Sequence, residues 1–173
     1  MIPLSSANSS GFSWSKLARS GGFEVKLNGS VVGVLRRMSL WSSNYQATTS
    51  EGTFKLQRRG WGGTKSEIVE SVSQQPIARF ESGWRRRSTL TFADGQQFQI
   101  ERNGCWHPRW SITAEGGEPI LSVDPRRRTG DTPIATQVKN SRLALLIMFL
   151  LYRIRQAEED ASVAAVVAAI VAS

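Results

Sequence analysis

The sequence predicts a mainly β protein: a closed antiparallel barrel of about twelve strands around a buried hydrophobic C-terminal α-helix. Three observations predict it. Polar and apolar residues alternate with period two from about residue 12 to residue 138. Turn dipeptides punctuate the alternation: Asn28-Gly29, Glu51-Gly52, Asp94-Gly95, Asn103-Gly104 and Gly116-Gly117. One run, Leu143–Tyr152, is apolar on every side.

The strands follow in order from the alternation. In "FEVKLN", Phe23, Val25 and Leu27 share one face, with Glu24, Lys26 and Asn28 on the other. "TFKLQRR" sets Phe54 and Leu56 against Lys55 and Gln57, and "STLTFA" sets Leu90 and Phe92 against Thr89 and Thr91. "QQFQIER" and "RWSITAE" do the same with Phe98, Ile100, Trp110 and Ile112. One dry face and one wet face is the signature of a strand covering a core. Candidate strands lie near 12–18, 23–28, 31–37, 44–50, 53–59, 66–72, 77–81, 87–93, 96–102, 109–115, 119–124 and 134–138. The short turns between them favour pairing of sequence neighbours, as a meander. "DPRRRTGDTP", 124–133, is the most loop-like segment.

The apolar run has ten residues, and a membrane-spanning helix needs roughly 20. Arg153 and Arg155 close it, and Glu158, Glu159 and Asp160 follow before a second run, "ASVAAVVAAIVAS". Two short runs divided by charge do not read as one span. A helix without a polar face lies in a core, and Leu, Met, Ala and Phe favour helix. A barrel of about twelve strands leaves an axial space that a helix roughly 10 Å wide fills. Residues 1–156 are therefore expected as one barrel with a central helix at 141–156, and 157–173 as a separable apolar tail. Asp160 is the expected cap of a second short helix there.

Composition excludes several classes. A single cysteine rules out an intramolecular disulfide framework, which points to a reducing compartment. The opening "MIPLSSANSSGFSW" has no basic n-region and no apolar h-region, so it does not read as a signal peptide. The expected location is cytoplasmic, including peripheral attachment to a membrane. A net charge of +8 favours anionic partners: acidic lipid, nucleic acid or an acidic protein.

The stretch "TLTFADGQQFQIERNGCWHPRWSITAEGGEPILSVDP", followed by "PIATQVKNSRLALLIMFLLYRIRQ", resembles the tubby C-terminal-like superfamily, which includes phospholipid scramblases and LURP-one-related proteins. The order is a strand, Asp-Gly, a strand, a tryptophan strand, a Gly-Gly turn, a strand and a terminal apolar helix. "GGFEVKLNGSVVGVLRR" fits the early hairpins of that family. The resemblance implies a twelve-stranded barrel around a hydrophobic helix, and a non-catalytic module that binds phosphoinositide-like headgroups through exterior basic residues. It carries no invariant string. The tail after Gln156 has no counterpart in the pattern.

No catalytic, metal or cofactor site is expected. Cys105 and His107 in "CWHPRW" have no orienting acid in view, and zinc would lack ligands. "RRGWGGTK" has Thr64 where a phosphate loop needs glycine before its lysine. The candidates for anion or lipid binding are the arginine clusters and two tryptophans: Trp84, Arg85, Arg86 and Arg87; Arg126, Arg127 and Arg128; Arg58, Arg59 and Trp61. Arginine forks match phosphate oxygens, and indole rings suit a lipid interface. The competing interpretation of these clusters is a solvated charged surface at strand ends. The expected partner is therefore an anionic membrane surface. The alternative is a structural or interaction domain that pairs with a second copy through its Ala/Val tail. Nucleic acid fits less well, because no nucleic-acid signature surrounds the arginines.

Overall fold

The computed structural model describes residues 12–17, 22–27, 29–39, 42–60, 64–83, 87–104, 108–117, 119–127, 129–131 and 140–171. It contains β1 (Phe12–Lys16), β2 (Phe23–Leu27), β3 (Ser30–Arg37), β4 (Tyr45–Thr49), β5 (Gly52–Arg59), β6 (Lys65–Glu70), β7 (Pro76–Ser82), β8 (Arg87–Phe92), β9 (Gln97–Asn103), β10 (Arg109–Ala114), β11 (Pro119–Asp124), β12 (Thr129–Asp131) and α1 (Asn140–Val171). The chain is mainly β, with one antiparallel sheet and one C-terminal helix, as the alternation predicts.

Each strand from β2 to β11 pairs with its sequence neighbours. The glycines of the turn dipeptides make those reversals possible. Gly29 (φ 80°) and Gly95 (φ 87°) sit in the left-handed region that a side chain disfavours. β1 pairs on one side with β2 over five residues and on the other with β12, through Phe12↔Gly130 and Ser13↔Thr129. That last strand departs from expectation. Residues 134–138 lie outside the described residues, and β12 falls instead inside 124–133, the segment that reads as loop. A reversal at residues 125–127 returns the chain so that Ser122, Val123 and Asp124 pair with Asp131, Gly130 and Thr129. Three residues with a central glycine carry no alternation, so the strand leaves no periodic signal.

Alternate residues of the strands point inward and enclose the helix. Tyr45 and Ala47, Phe54 and Leu56, Ala78 and Phe80, Leu90 and Phe92, Phe98 and Ile100, and Trp110 and Ile112 are all buried. Every helix residue from Ala144 to Tyr152 is at most 4% exposed. The all-round apolar run therefore has apolar neighbours all round, which is what its composition requires. Phe149 packs against Phe80 at 5.5 Å and Tyr152 at 5.8 Å between ring centroids, and Tyr152 meets Tyr45 edge-on at 5.6 Å. Gly33 on β3 makes room for the helix: a Cβ there would lie 2.2 Å from the terminal methyl of Met148.

The helix does not stop at 156 and does not restart at Asp160. It runs unbroken over 32 residues, and Asp160 lies within it. Beyond Asp160 its surroundings change, because residues 161–169 are all exposed. The tail predicted as separate is the continuation of the core helix into open space.

Candidate functional site

Antiparallel order places the ends of β3, β5, β7, β9 and β11 and the starts of β4, β6, β8, β10 and β12 at one end of the sheet. The helix fixes which end is which. Near its start, Arg142 bonds Asp94 and Gln96 in the β8–β9 turn and lies 4.7 Å over the Phe92 ring. Near Glu159 and Asp160 it meets Arg37 and Arg58, at the ends of β3 and β5. The helix thus enters at the β8–β9 turn and leaves at the opposite end.

That exit end collects the basic residues. Arg36 and Arg37 close β3, Arg58 and Arg59 close β5, Arg87 opens β8, Arg102 lies near the close of β9, Arg109 opens β10, and Arg126 and Arg127 follow β11. Clusters scattered over nearly a hundred residues of sequence share one rim because each sits at the same end of a strand in a strictly alternating meander. Trp61, Trp84, Arg85, Arg86 and Arg128 lie outside the described residues, as do Cys105 and His107.

The rim arginines divide by what they touch. Arg58 forms an ion pair with Asp160 at 2.5 Å, and Arg59 one with Glu67 at 2.8 Å. Glu67 also accepts from Gln57 Nε2 at 3.3 Å and faces Arg79 at 3.7 Å. The bond from Arg59 holds the Glu67 carboxyl below the usual carboxylate range. Arg37 donates to the Ser42 carbonyl at 2.8 Å and lies 3.7 Å from Glu159. Arg155 meets Glu158 at 3.0 Å and Glu159 at 3.4 Å, one helical turn away. The Tyr45 hydroxyl donates to Glu159 at 2.9 Å, and burial with that bond raises its pKa to about 12. So Arg58 and Arg59, two of the sequence candidates, form ion pairs with carboxylates of the chain itself. With Arg37 and Arg155 they form a collar of ion pairs where the helix leaves the sheet.

Sequence reasoning missed Arg153 as part of this collar. Its guanidinium lies 4.3 Å over the Phe80 ring, and its Nη1 donates to Gln156 Oε1 at 2.5 Å. Gln156 Nε2 in turn donates to the Tyr152 hydroxyl at 2.6 Å. Burial pushes Arg153 down to about 10, still far above neutrality, so the charge is kept and the ring face supports it. Its spacing from Phe149 and Gln156 on one helix face was the available signal.

Arg109, Arg126 and Arg127 are arranged differently. With Pro108 and Asp124 they line a hollow of about 290 Å³. Arg127 is 3.7 Å from Asp124 and remains largely exposed. A second hollow, of about 330 Å³, shares Arg126 and Pro108 and adds Arg102, Trp110, Pro125, Ile154, Ala157, Glu158 and Ala161. Arg102 lies 5.8 Å from the Trp110 ring centroid. The guanidinium groups that line the first hollow suit an anionic oxygen cluster such as a phosphate. The second hollow is more apolar and reaches the helix where it emerges, so the two together offer a charged part and a greasy part side by side.

Among the described residues no group of three or more His, Cys, Asp or Glu side chains is placed to hold a metal ion. Among them, too, no helix is long and apolar enough to cross a membrane. No protein-family model, no curated protein and no solved structure matches this chain.

Proposed function

We propose that the chain is a non-enzymatic, tubby-like module that binds anionic lipid headgroups at a membrane surface, with its arginine-bearing end toward the lipid. The ring of strand pairings, with its two-residue β1–β12 seam, supports reading the sheet as a closed barrel whose rim is the binding face. The observation that carries the functional reading is the gathering of Arg36, Arg87, Arg102, Arg109, Arg126 and Arg127 at the single end from which the helix emerges. Basic residues near an anionic membrane contribute roughly 1 kcal/mol each, so a rim of several is enough for reversible attachment at low salt. A cytoplasmic leaflet, rich in such lipids, is the matching location.

The test is co-sedimentation with vesicles of phosphatidylcholine alone and of phosphatidylcholine with phosphatidylserine or a phosphoinositide. Binding that needs the anionic lipid and weakens as salt rises is the expected result. Equal binding to neutral vesicles, or none to any, overturns it. A second reading, an interaction domain pairing through its terminal helix, rests on the exposure of Val163, Val166 and Val167. A stable dimer in sedimentation without lipid would favour that reading.

A further inference from the structure

The last three turns of α1 need a different environment from the one they have. Ala161–Val171 contains no charged residue, and Val163, Val166 and Val167 are 64%, 59% and 53% exposed. Five large apolar side chains are exposed among the described residues, and four of them are at the rim or beyond it: those three valines and Met38, which follows the end of β3. The fifth, Val72, is in the β6–β7 turn at the other end. Exposed apolar groups and arginines are therefore concentrated together, and a partner for one is placed to meet the other.

We infer that this helical arm enters the hydrocarbon of one membrane leaflet while the arginine rim lies against the headgroups. The inference rests on the lipid-binding reading above and specifies how the binding is made. Three observations favour lipid over a second copy. First, the arm is apolar on its alanine face as well as its valine face, and only a surrounding medium covers both. Second, eleven residues rise roughly 16 Å, about half of the roughly 30 Å hydrocarbon thickness, so the arm fits a single leaflet. Third, a pair of such arms offers a strip of roughly 16 Å by 10 Å on each, far below the roughly 1,200 Å² of a stable interface. The acids at the root of the arm do not oppose this placement. Glu158 is held by Arg155, Glu159 by Arg155 and Arg37, and Asp160 by Arg58, so the collar presents paired rather than bare carboxylates.

The experiment uses the full chain with Cys105→Ser, which removes the single cysteine, and Ala168→Cys, labelled with an environment-sensitive fluorophore. Position 168 is exposed, so the label does not enter the core. With vesicles of phosphatidylcholine and phosphatidylserine, the expected result is a blue-shifted and brighter emission, quenched by lipids carrying a spin label along the acyl chain. Replacing Val163, Val166 and Val167 with Ser should lower affinity for the same vesicles by roughly tenfold or more, while circular dichroism stays unchanged. Vesicle binding with the label still in water would overturn the arm and leave the charge-based reading standing. No vesicle binding at all would overturn both. A blue shift without vesicles, together with a dimer in sedimentation, would assign the arm to a second copy instead.

Discussion

Replacing Phe149 with Ala tests whether the helix is enclosed. Phe149 is fully buried, with Phe80 of the sheet on one side and Tyr152 of its own helix on the other. Phe→Ala in a core costs about 3–5 kcal/mol, and the cost is highest where the surroundings cannot collapse into the space. Here they cannot collapse freely, because the lining strands are hydrogen-bonded on both sides and hold their distance from the helix axis. The loss of two aromatic contacts, with Phe80 and Tyr152, places the cost in the upper part of that range. The expected loss is therefore about 4–5 kcal/mol, a large share of the roughly 5–15 kcal/mol that stabilises a domain. At about 2–4 °C per kcal/mol, Tm should fall by about 8–20 °C. Urea unfolding followed by tryptophan fluorescence measures this, with Val167→Ala as comparison. Val167 is on the same helix beyond the collar, and its loss should change stability by less than about 0.5 kcal/mol. If Phe149→Ala cost no more than Val167→Ala, the helix would not be inside the sheet.

Both tyrosines of the chain, Tyr45 and Tyr152, are buried with raised pKa values, Tyr45 at about 12. A group raised in the folded state supports stability fully below its unfolded pKa near 10 and loses that support as pH rises through the folded value. Tyrosinate absorbance should therefore stay flat near pH 10 and rise together with loss of circular dichroism; half the tyrosine signal appearing near pH 10 in a folded protein would contradict the packing. Gly22→Ala should destabilise more than Gly33→Ala. A Cβ at 22 would lie 2.1 Å from the Leu35 carbonyl oxygen, a backbone atom, whereas at 33 it meets a methionine methyl that can swing away. The expected cost at 22 is about 1–3 kcal/mol by thermal melting, and the reverse order would point to a rigid Met148. Replacing Arg85, Arg86 and Arg87 with Gln should weaken binding to phosphatidylserine vesicles by up to about two orders of magnitude at low salt, with an unchanged melt. Binding unaffected by that triple change would leave the work to Arg109, Arg126 and Arg127.

Much of this fold was legible because a sheet with one dry face writes its period into the chain. Phe23, Val25, Leu90, Phe92, Phe98 and Ile100 are inward residues that alternation alone identified. What failed were features set by tertiary partners. β12 is a strand because β11 and β1 flank it, and its Thr-Gly-Asp carries no preference of its own. The helix passes through "EEDAS" because Glu158, Glu159 and Asp160 are not a stop signal here. They are the helix side of the collar, and their arginines come from β3, β5 and the preceding turn of the helix. The site was half legible for the same reason. Arginine clusters at strand ends were visible in the sequence, but whether they share an end depends on strand parity. Which of them are already occupied depends on carboxylates that lie on the next strand, as Glu67 does for Arg59, or a hundred residues away, as Asp160 does for Arg58.

The helix follows every strand that surrounds it, and this sets an order of events during synthesis. A ribosome working from the N-terminus completes the lining, from Phe12 to Val123, before the residues that will occupy it. At about 5–20 residues per second, the 32 residues of α1 follow over about 2–6 seconds. For that interval the nascent chain holds a sheet whose dry face has nothing to cover and whose outer strands, β1 and the three-residue β12, have little to hold them together. Hairpins between sequence neighbours can form early, because their loops are short. The hollow they make stays greasy and open until the helix arrives. That places the moment of greatest aggregation risk between completion of the strands and arrival of the helix, and makes the rate of delivery of residues 140–171 a determinant of yield.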